Sequence, residues 1–107
     1  MGQDKLIDIY IIIYIIVYMK FEYDEAKNQA NITKHGMSFA EAVTAFADNK
    51  RIVEKDVKHS TSDETRYFLY GNTDRGVATV RFTIRNGNIR VIGAGYWRQG
   101  RKKYEQG

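Results

Sequence analysis

The side chains of this sequence that could do chemistry are mostly cationic and aromatic. No nucleophile–base pair, phosphate-binding glycine loop, zinc motif or pair of catalytic carboxylates is recognisable in its 107 residues. Because the chain has no cysteine and only two histidines, which are far apart in the sequence, it predicts no metal site and no cofactor. The candidate residues are Lys34, His35, Arg66, Arg81, Arg85, Arg90, Tyr96, Trp97, Arg98 and Tyr104.

This set of side chains suits the cleavage of RNA without a metal ion, because the 2′-hydroxyl of RNA is itself the nucleophile. The protein must then accept a proton, protonate the leaving 5′-oxygen and stabilise the extra negative charge. The forked donors of arginine match phosphate oxygens, and aromatic rings can hold an unstacked base. The predicted catalytic residues are Arg66, Arg81, Arg90, Lys34 and His35. The predicted RNA-binding residues are Arg85, Tyr96, Arg98 and Tyr104.

Each candidate also has a purely structural interpretation. Lys34 and His35 could complete a helix, since the C-terminal end of a helix favours positive charge. Arg66 could pair with the neighbouring Glu64 as an ordinary surface ion pair. The arginines of the last strands could form a solvated sheet face, and the aromatic residues that follow could pack against the core.

The charge distribution favours an anionic partner. The formal net charge is +4, and Glu105 is the single acidic residue that follows Arg75, among many lysines and arginines. A basic C-terminal part of this kind is typical of proteins that bind nucleic acid or an acidic protein, although it could also be an ordinary solvated face. The hydrophobic fraction of 43% and the charged fraction of 28% are those of one globular domain.

Residues 1–18 differ in composition from the rest of the chain, because Ile9 to Val17 is almost wholly Ile and Tyr. This uncharged run is too short for a membrane-spanning helix, which needs ~20 residues, so we predict no membrane segment. We hypothesise that Met19 is the natural start, that residues 1–18 are a misassigned extension, and that residues 19–107 form the domain. If the extension is ordered, its composition favours a strand. The absence of cysteine fits a cytoplasmic location.

The elements that must position the candidates begin with a strand, a helix, a turn and a second helix. Asp24 is placed to cap the first helix, and Gly36 can adopt the left-handed conformation that ends it. Ser38 and Glu41 have the spacing of a capping box, which predicts the start of the second helix. This arrangement would place Lys34 and His35 in the last turn of the first helix.

Strands are predicted in the second half of the chain, at 51–56, 66–70, 77–85 and from residue 88 onward. Asn86-Gly87 indicates a two-residue hairpin turn, which predicts the pairs Phe82–Val91, Thr83–Arg90, Val80–Gly93 and Arg81–Ile92. Arg81, Arg85 and Arg90 would then share one face. The predicted order is β-α-α-β-β-β-β with an optional C-terminal helix, an α+β fold with two helices packed on an antiparallel sheet.

The stretch from Phe21 to Ala42 resembles the N-terminal signature of the BrnT family, the toxins of BrnT–BrnA type II toxin–antitoxin systems. The shared pattern is F-x-Y-D-x-x-K-x-x-x-N-x-x-K-H-G-x-S-F-x-E-A, and the resemblance extends from Met19 to Tyr104. It implies a fold similar to RelE-like ribonuclease toxins and an activity that cleaves RNA and inhibits translation. It also implies a BrnA-like ribbon-helix-helix antitoxin that neutralises the toxin, with promoter DNA bound only through the complex of the two.

The resemblance bears on individual residues as well. Arg66, in Glu64-Thr-Arg66, matches a D/E-x-R position that it implies BrnT-like toxins need, and Phe82–Arg85 and Ile89–Ile92 match two strands that present basic residues. Family members usually read I-S-A-R after the last strand, whereas this chain has Ile92-Gly93-Ala94-Gly95 and so lacks that arginine.

The missing arginine leaves three alternatives open. Arg98 or Tyr96 could substitute for it, activity could be weakened, or this could be a subgroup with an altered function. The competing interpretation is therefore a non-catalytic module of the same fold that binds nucleic acid or a protein.

Overall fold

The structure, a computed structural model, describes Tyr10 and residues 20–107. Its helices are α1 (Glu25–His35), α2 (Phe39–Val43) and α3 (Arg98–Gln106), and a 3-10 turn (Thr44–Ala47) continues α2. Its strands are β1 (Phe21–Glu22), β2 (Ile52–Lys55), β3 (Arg66–Thr73), β4 (Gly76–Arg85) and β5 (Asn88–Gly95). These elements confirm the predicted α+β class, and the C-terminal helix that was optional in the prediction is present.

The strands form one five-stranded sheet in the order β1-β5-β4-β3-β2. Neighbours from β5 to β2 are antiparallel, but β1 runs parallel to β5, with Phe21 beside Ile89. The predicted purely antiparallel sheet is therefore wrong at this edge. Because β1 is followed by a helix rather than a hairpin, and joins a strand remote in sequence, no tight turn forces the two strands to run in opposite directions.

The ends of the first two helices follow the predicted local chemistry. The Asp24 side chain accepts a hydrogen bond from the Lys27 amide at 3.0 Å, and Gly36 has a φ of +69°. The hydroxyl of Ser38 accepts from the Glu41 amide at 3.0 Å, and the backbone amide of Ser38 is one of the groups that lower the pKa of Glu41. The Glu41 carboxylate also binds Arg75 and Tyr96, two partners that the predicted capping box did not include.

The hairpin joining β4 to β5 begins in the predicted register and then departs from it. Asn86 and Gly87 both have positive φ, and the pairs Thr83–Arg90 and Phe82–Val91 form as predicted. A β-bulge follows, so that Arg81 lies opposite Gly93 and Val80 opposite Ala94, one residue away from the prediction. The extra residue on β5 is Ile92.

The hydrophobic core lies between one face of the sheet and α2 with its 3-10 continuation. Its members are Met37, Phe39, Ala42, Ala45, Phe46, Leu69, Ala78, Val80, Phe82, Ile89, Val91 and Ala94. Helix α3 packs on the opposite face, where a Cβ on Gly100 would collide with the side chain of Thr79. That face is also the one that carries Arg66, Arg81 and Arg90.

The predicted extension over residues 1–18 and the hypothesis of a start at Met19 fall outside the described residues, apart from Tyr10. That residue is helical and exposed, so the predicted strand is wrong at this position. In the part of the chain that the structure describes, no helix has the length and apolar character that crossing a membrane requires.

Candidate active site

A cleft of about 340 Å³ lies where α1 packs beside the C-terminal half of β5, beyond the two β5 residues that pair with β1. Helix α1 contributes its positively charged face, β4 contributes Arg81, and the indole of Trp97 closes one side. The lining residues are Lys27, Ala30, Asn31, Lys34, His35, Arg81, Ile92, Gly93 and Trp97. The fold thus brings together three of the five predicted catalytic residues, namely Lys34, His35 and Arg81.

Arg81 reaches this cleft because the residue opposite it is a glycine. A Cβ built on Gly93 would lie 3.3 Å from both Nε and Nη2 of Arg81, so the guanidinium lies over the bare backbone of β5. Without the bulge, Ile92 would pair with Arg81 and crowd the same face with a branched side chain. The bulge therefore decides that Arg81 crosses β5 towards α1.

Asn31 holds α1 against the sheet at this point. Its side-chain amide donates to the carbonyls of Met37 at 2.8 Å and Ala94 at 2.9 Å, and its oxygen accepts from the Ala94 amide at 3.2 Å. A second buried amide, Asn28, accepts from the Phe39 amide at 2.8 Å. These two asparagines are the buried residues of α1, so polar bonds rather than an apolar stripe position the helix.

The cleft is positively charged and lacks a compensating carboxylate. Among residues 20–107, no carboxylate lies within ion-pair distance of Lys27, Lys34 or Arg81. Like charges that converge without a counter-ion raise the local potential and attract an anion. His35 adds a ring that contacts Trp97 edge to face, with the ring centroids 5.0 Å apart. A phosphate group with an adjacent base is the type of ligand that such a cleft accommodates.

The other predicted arginines lie on the same face but are engaged in ion pairs. Arg66 and Arg90 flank Thr83 in one row across β3, β4 and β5, which confirms that the Arg66 strand lies beside the Arg81 strand. Glu64 pairs with Arg66 at 3.1 Å and with Arg85 at 2.8 Å. Hydrogen bonds from Arg85 first, and then from Arg66, lower the pKa of Glu64.

Arg90 is also paired, to Glu22 of β1 at 2.9 Å. The three ion pairs agree with the structural interpretation of these arginines. A phosphate that binds Arg66, Arg85 or Arg90 would have to compete with a carboxylate, whereas one that binds Arg81 would not.

The remaining predicted RNA-binding residues lie outside the cleft. The hydroxyl of Tyr104 donates to Asp48 at 2.6 Å, which ties α3 to the end of the 3-10 turn. The hydroxyl of Tyr96 donates to Glu41 at 2.5 Å and contacts Thr73 at 2.7 Å. Arg98 lies at the start of α3, in a second groove next to the first.

Glu41→Gln is expected to remove a contribution to stability that depends on pH. Hydrogen bonding from Arg75, aided by Tyr96, lowers the pKa of Glu41 below its usual value of 4.5. Because that pKa is lower in the folded than in the unfolded protein, the contribution is present above about pH 4.5 and is lost as the pH falls through the folded pKa. Urea unfolding at neutral and strongly acidic pH measures this effect. The variant should be less stable than wild type at neutral pH and similar at acidic pH; an equal difference at both would contradict the expectation.

Sequence reasoning missed two contributors to the cleft, Lys27 and Asn31. A signal for both was present, because residues 27, 31 and 34 recur at the spacing of one helix face. Trp97, a candidate residue with packing as its structural interpretation, lines the cleft and packs on Gly95. A Cβ on Gly95 would lie 2.6 Å from Cζ2 of Trp97, so the indole fills the space into which the arginine of the family pattern would project.

Comparison with known proteins agrees with the sequence signature. No curated protein matches the chain. A family model described as the ribonuclease toxin BrnT of type II toxin–antitoxin systems matches residues 23–100. The match runs from the residue before the Asp24 cap, through α1 and the whole cleft, into the first turn of α3. Because it spans most of the sequence, the chain belongs to the BrnT family of ribonuclease toxins from type II toxin–antitoxin systems.

Proposed function

We propose that this toxin is an endoribonuclease that cleaves RNA in the cleft between α1 and β5 without a metal ion, and thereby inhibits translation in the cytoplasm. The observation that carries the proposal is the cluster of Lys27, Lys34, His35 and Arg81, which among the described residues has no carboxylate partner. Membership of a ribonuclease toxin family supports an RNA substrate.

The reaction that fits these side chains is an internal transfer of the phosphate. The RNA 2′-oxygen attacks the adjacent phosphorus, the bond from phosphorus to the 5′-oxygen breaks, and a 2′,3′-cyclic phosphate forms. His35 accepts the proton of the 2′-hydroxyl, and Lys34 supplies the proton that the 5′-oxygen requires. Arg81 binds the phosphate oxygens that gain charge in the transition state, while Lys27 adds to the positive potential.

The paired arginines fit a supporting role in this proposal. When RNA binds, Arg66 and Arg85 leave Glu64, and Arg90 leaves Glu22. Arg66 and Arg90 then bind the phosphates that flank the cleavage point. Arg98, Tyr96 and Tyr104 lie towards α3 and contact more distant parts of the strand. Because Trp97 covers Gly95, Arg81 takes over the phosphate contact that the arginine of the family pattern would make.

The antitoxin in this proposal is a BrnA-like ribbon-helix-helix protein that covers the cationic cleft. Family membership implies an antitoxin partner, and acidic side chains on it would complement the charge of this face. Promoter DNA is bound through the antitoxin in the complex rather than by the toxin alone. The alternative, a non-catalytic binding module, is favoured by the missing arginine at Gly95 and predicts RNA binding without cleavage.

The test is cleavage of a long single-stranded RNA by purified protein, with a chelator present throughout. Wild type is expected to cut the RNA, and Lys34→Ala and His35→Ala are each expected to cut it at least tenfold more slowly, because each removes a proton-transfer group. Lys58→Ala, which changes an exposed lysine in the loop before β3, is the matched control and should behave as wild type. Binding without cleavage would establish the alternative module, and a strict need for a divalent ion would overturn the mechanism.

A further inference from the structure

Trp97 is the largest exposed aromatic side chain beside the cleft. Its relative exposure is 39%, whereas the core aromatics Phe39, Phe46 and Phe82 are at most 5% exposed. One part of the indole lies over Gly95, and its ring meets the His35 ring at 75°. These two contacts hold the ring in place while a substantial part of it remains open to solvent.

The indole also separates two positively charged grooves. On one side is the cleft with Lys27, Lys34, His35 and Arg81. On the other is a groove of about 760 Å³ along α3, and Trp97 lines both. The charged residues that line the second groove are Arg75, Arg98, Arg101, Lys102 and Glu105.

Part of the charge in the second groove is already neutralised. Arg75 is bound by Glu41, and Arg101 lies 3.5 Å from Glu105. Arg98 and Lys102 have no such partner among residues 20–107, so the groove stays net positive next to Trp97. The order across the surface is therefore cationic groove, flat aromatic ring, cationic groove.

We propose that Trp97 is a stacking platform for one nucleobase of a single-stranded RNA, whose phosphates occupy the cleft on one side and the α3 groove on the other. This inference rests on the proposed ribonuclease function and extends it to the substrate. Alternation of phosphate and base matches the alternation of charge and ring, and a base in a duplex would not expose its face to the indole. Stacking tolerates any base, so the contact selects for single strands rather than for a sequence.

An acidic protein segment would also fit the two grooves, but it would make no use of the flat ring between them. A chain of carboxylates would give binding that depends on Arg98 and Lys102 and not on the aromatic character of residue 97. This difference allows the two classes of ligand to be separated by experiment.

The experiment uses the fluorescence of Trp97, the single tryptophan of the chain. The probe is a 12-nucleotide 2′-O-methyl RNA, which binds without being cleaved because it lacks the free 2′-hydroxyl. Binding is expected to quench the emission of the full-length protein. For the Trp97 variants, which lack this signal, affinity is measured by the fluorescence anisotropy of a labelled probe.

Trp97→Ala is expected to weaken binding of the labelled probe by roughly 5- to 150-fold, the range found when one stacked base loses its aromatic partner. Trp97→Phe should retain most of the affinity, since it keeps an aromatic face. Ile84→Ala, which shortens an exposed apolar side chain outside both grooves, is the control and should bind as wild type. Thermal unfolding of each variant verifies that it is folded.

Three results would overturn the stacking proposal. The first is emission that is not quenched when the protein is saturated with RNA, and the second is an RNA affinity that Trp97→Ala leaves unchanged. The third is a Trp97→Ala substitution that weakens the binding of polyglutamate as much as the binding of RNA. If wild type cleaves RNA in any of these cases, the proposed function survives and only the stacking fails. If the probe binding depends on Trp97 but no RNA is cleaved, the stacking stands and the catalytic proposal fails.

Discussion

Arg81→Ala is expected to lower the rate of RNA cleavage by roughly 10²–10³-fold, the usual effect of removing one preorganised donor from a developing negative charge. Arg81 is the arginine that lies over Gly93 at the cleft, and no carboxylate among the described residues competes for it. The free energy of unfolding should change by less than about 1 kcal/mol, since no ion pair is broken. Single-turnover cleavage with chelator, together with urea unfolding, measures both quantities.

Two companion variants make this prediction specific. Arg81→Lys should restore only part of the rate, because lysine keeps the charge but loses the forked donors. Arg85→Ala removes an arginine from the same strand and face that is paired with Glu64, and it should slow cleavage only a few-fold. An Arg81→Ala protein as active as wild type, or an Arg85→Ala protein that is slowed more, would contradict the assignment of Arg81.

Asn31→Ala is expected to reduce the free energy of unfolding by about 3–5 kcal/mol. The substitution leaves the amide and the carbonyl of Ala94 and the carbonyl of Met37 without their buried partner, at a cost of roughly 1–3 kcal/mol for each group that finds no replacement. For a chain of this size the melting temperature should fall by more than about 10 °C. Calorimetry and denaturant unfolding of the purified protein measure the effect.

Controls for Asn31 come from the same helix. Thr33→Ala changes an exposed residue of α1 and should alter stability by less than about 0.5 kcal/mol. Asn28→Ala removes the bond from the Phe39 amide and should give an intermediate loss. If Asn31→Ala were as stable as wild type, the bonds to β5 would not be what holds α1 at the cleft.

The local features of this fold could be predicted from the sequence, because each depends on a few adjacent residues. Asp24, Gly36 and Ser38 determine where α1 begins and ends and where α2 begins, through side-chain caps and a left-handed glycine. Asn86-Gly87 determines the hairpin turn, and with it the first pairs of β4 and β5. The pattern around α1 was also sufficient to indicate the BrnT family.

The cleft itself was decided by contacts between residues that are far apart in the sequence. A bulge at Ile92 places Gly93 opposite Arg81. The glycines at 93 and 95 allow a bend, but they do not give the position of the bulge, because it depends on the packing of the whole sheet. The same holds for the parallel pairing of β1 with β5. It also holds for the position of Trp97, since its ring contacts His35 of α1, a helix that Asn31 holds against β5. Sequence determined which side chains could bind a phosphate. The tertiary structure determined that Arg81, Lys34 and His35 line one cleft, while Arg66, Arg85 and Arg90 are held by carboxylates.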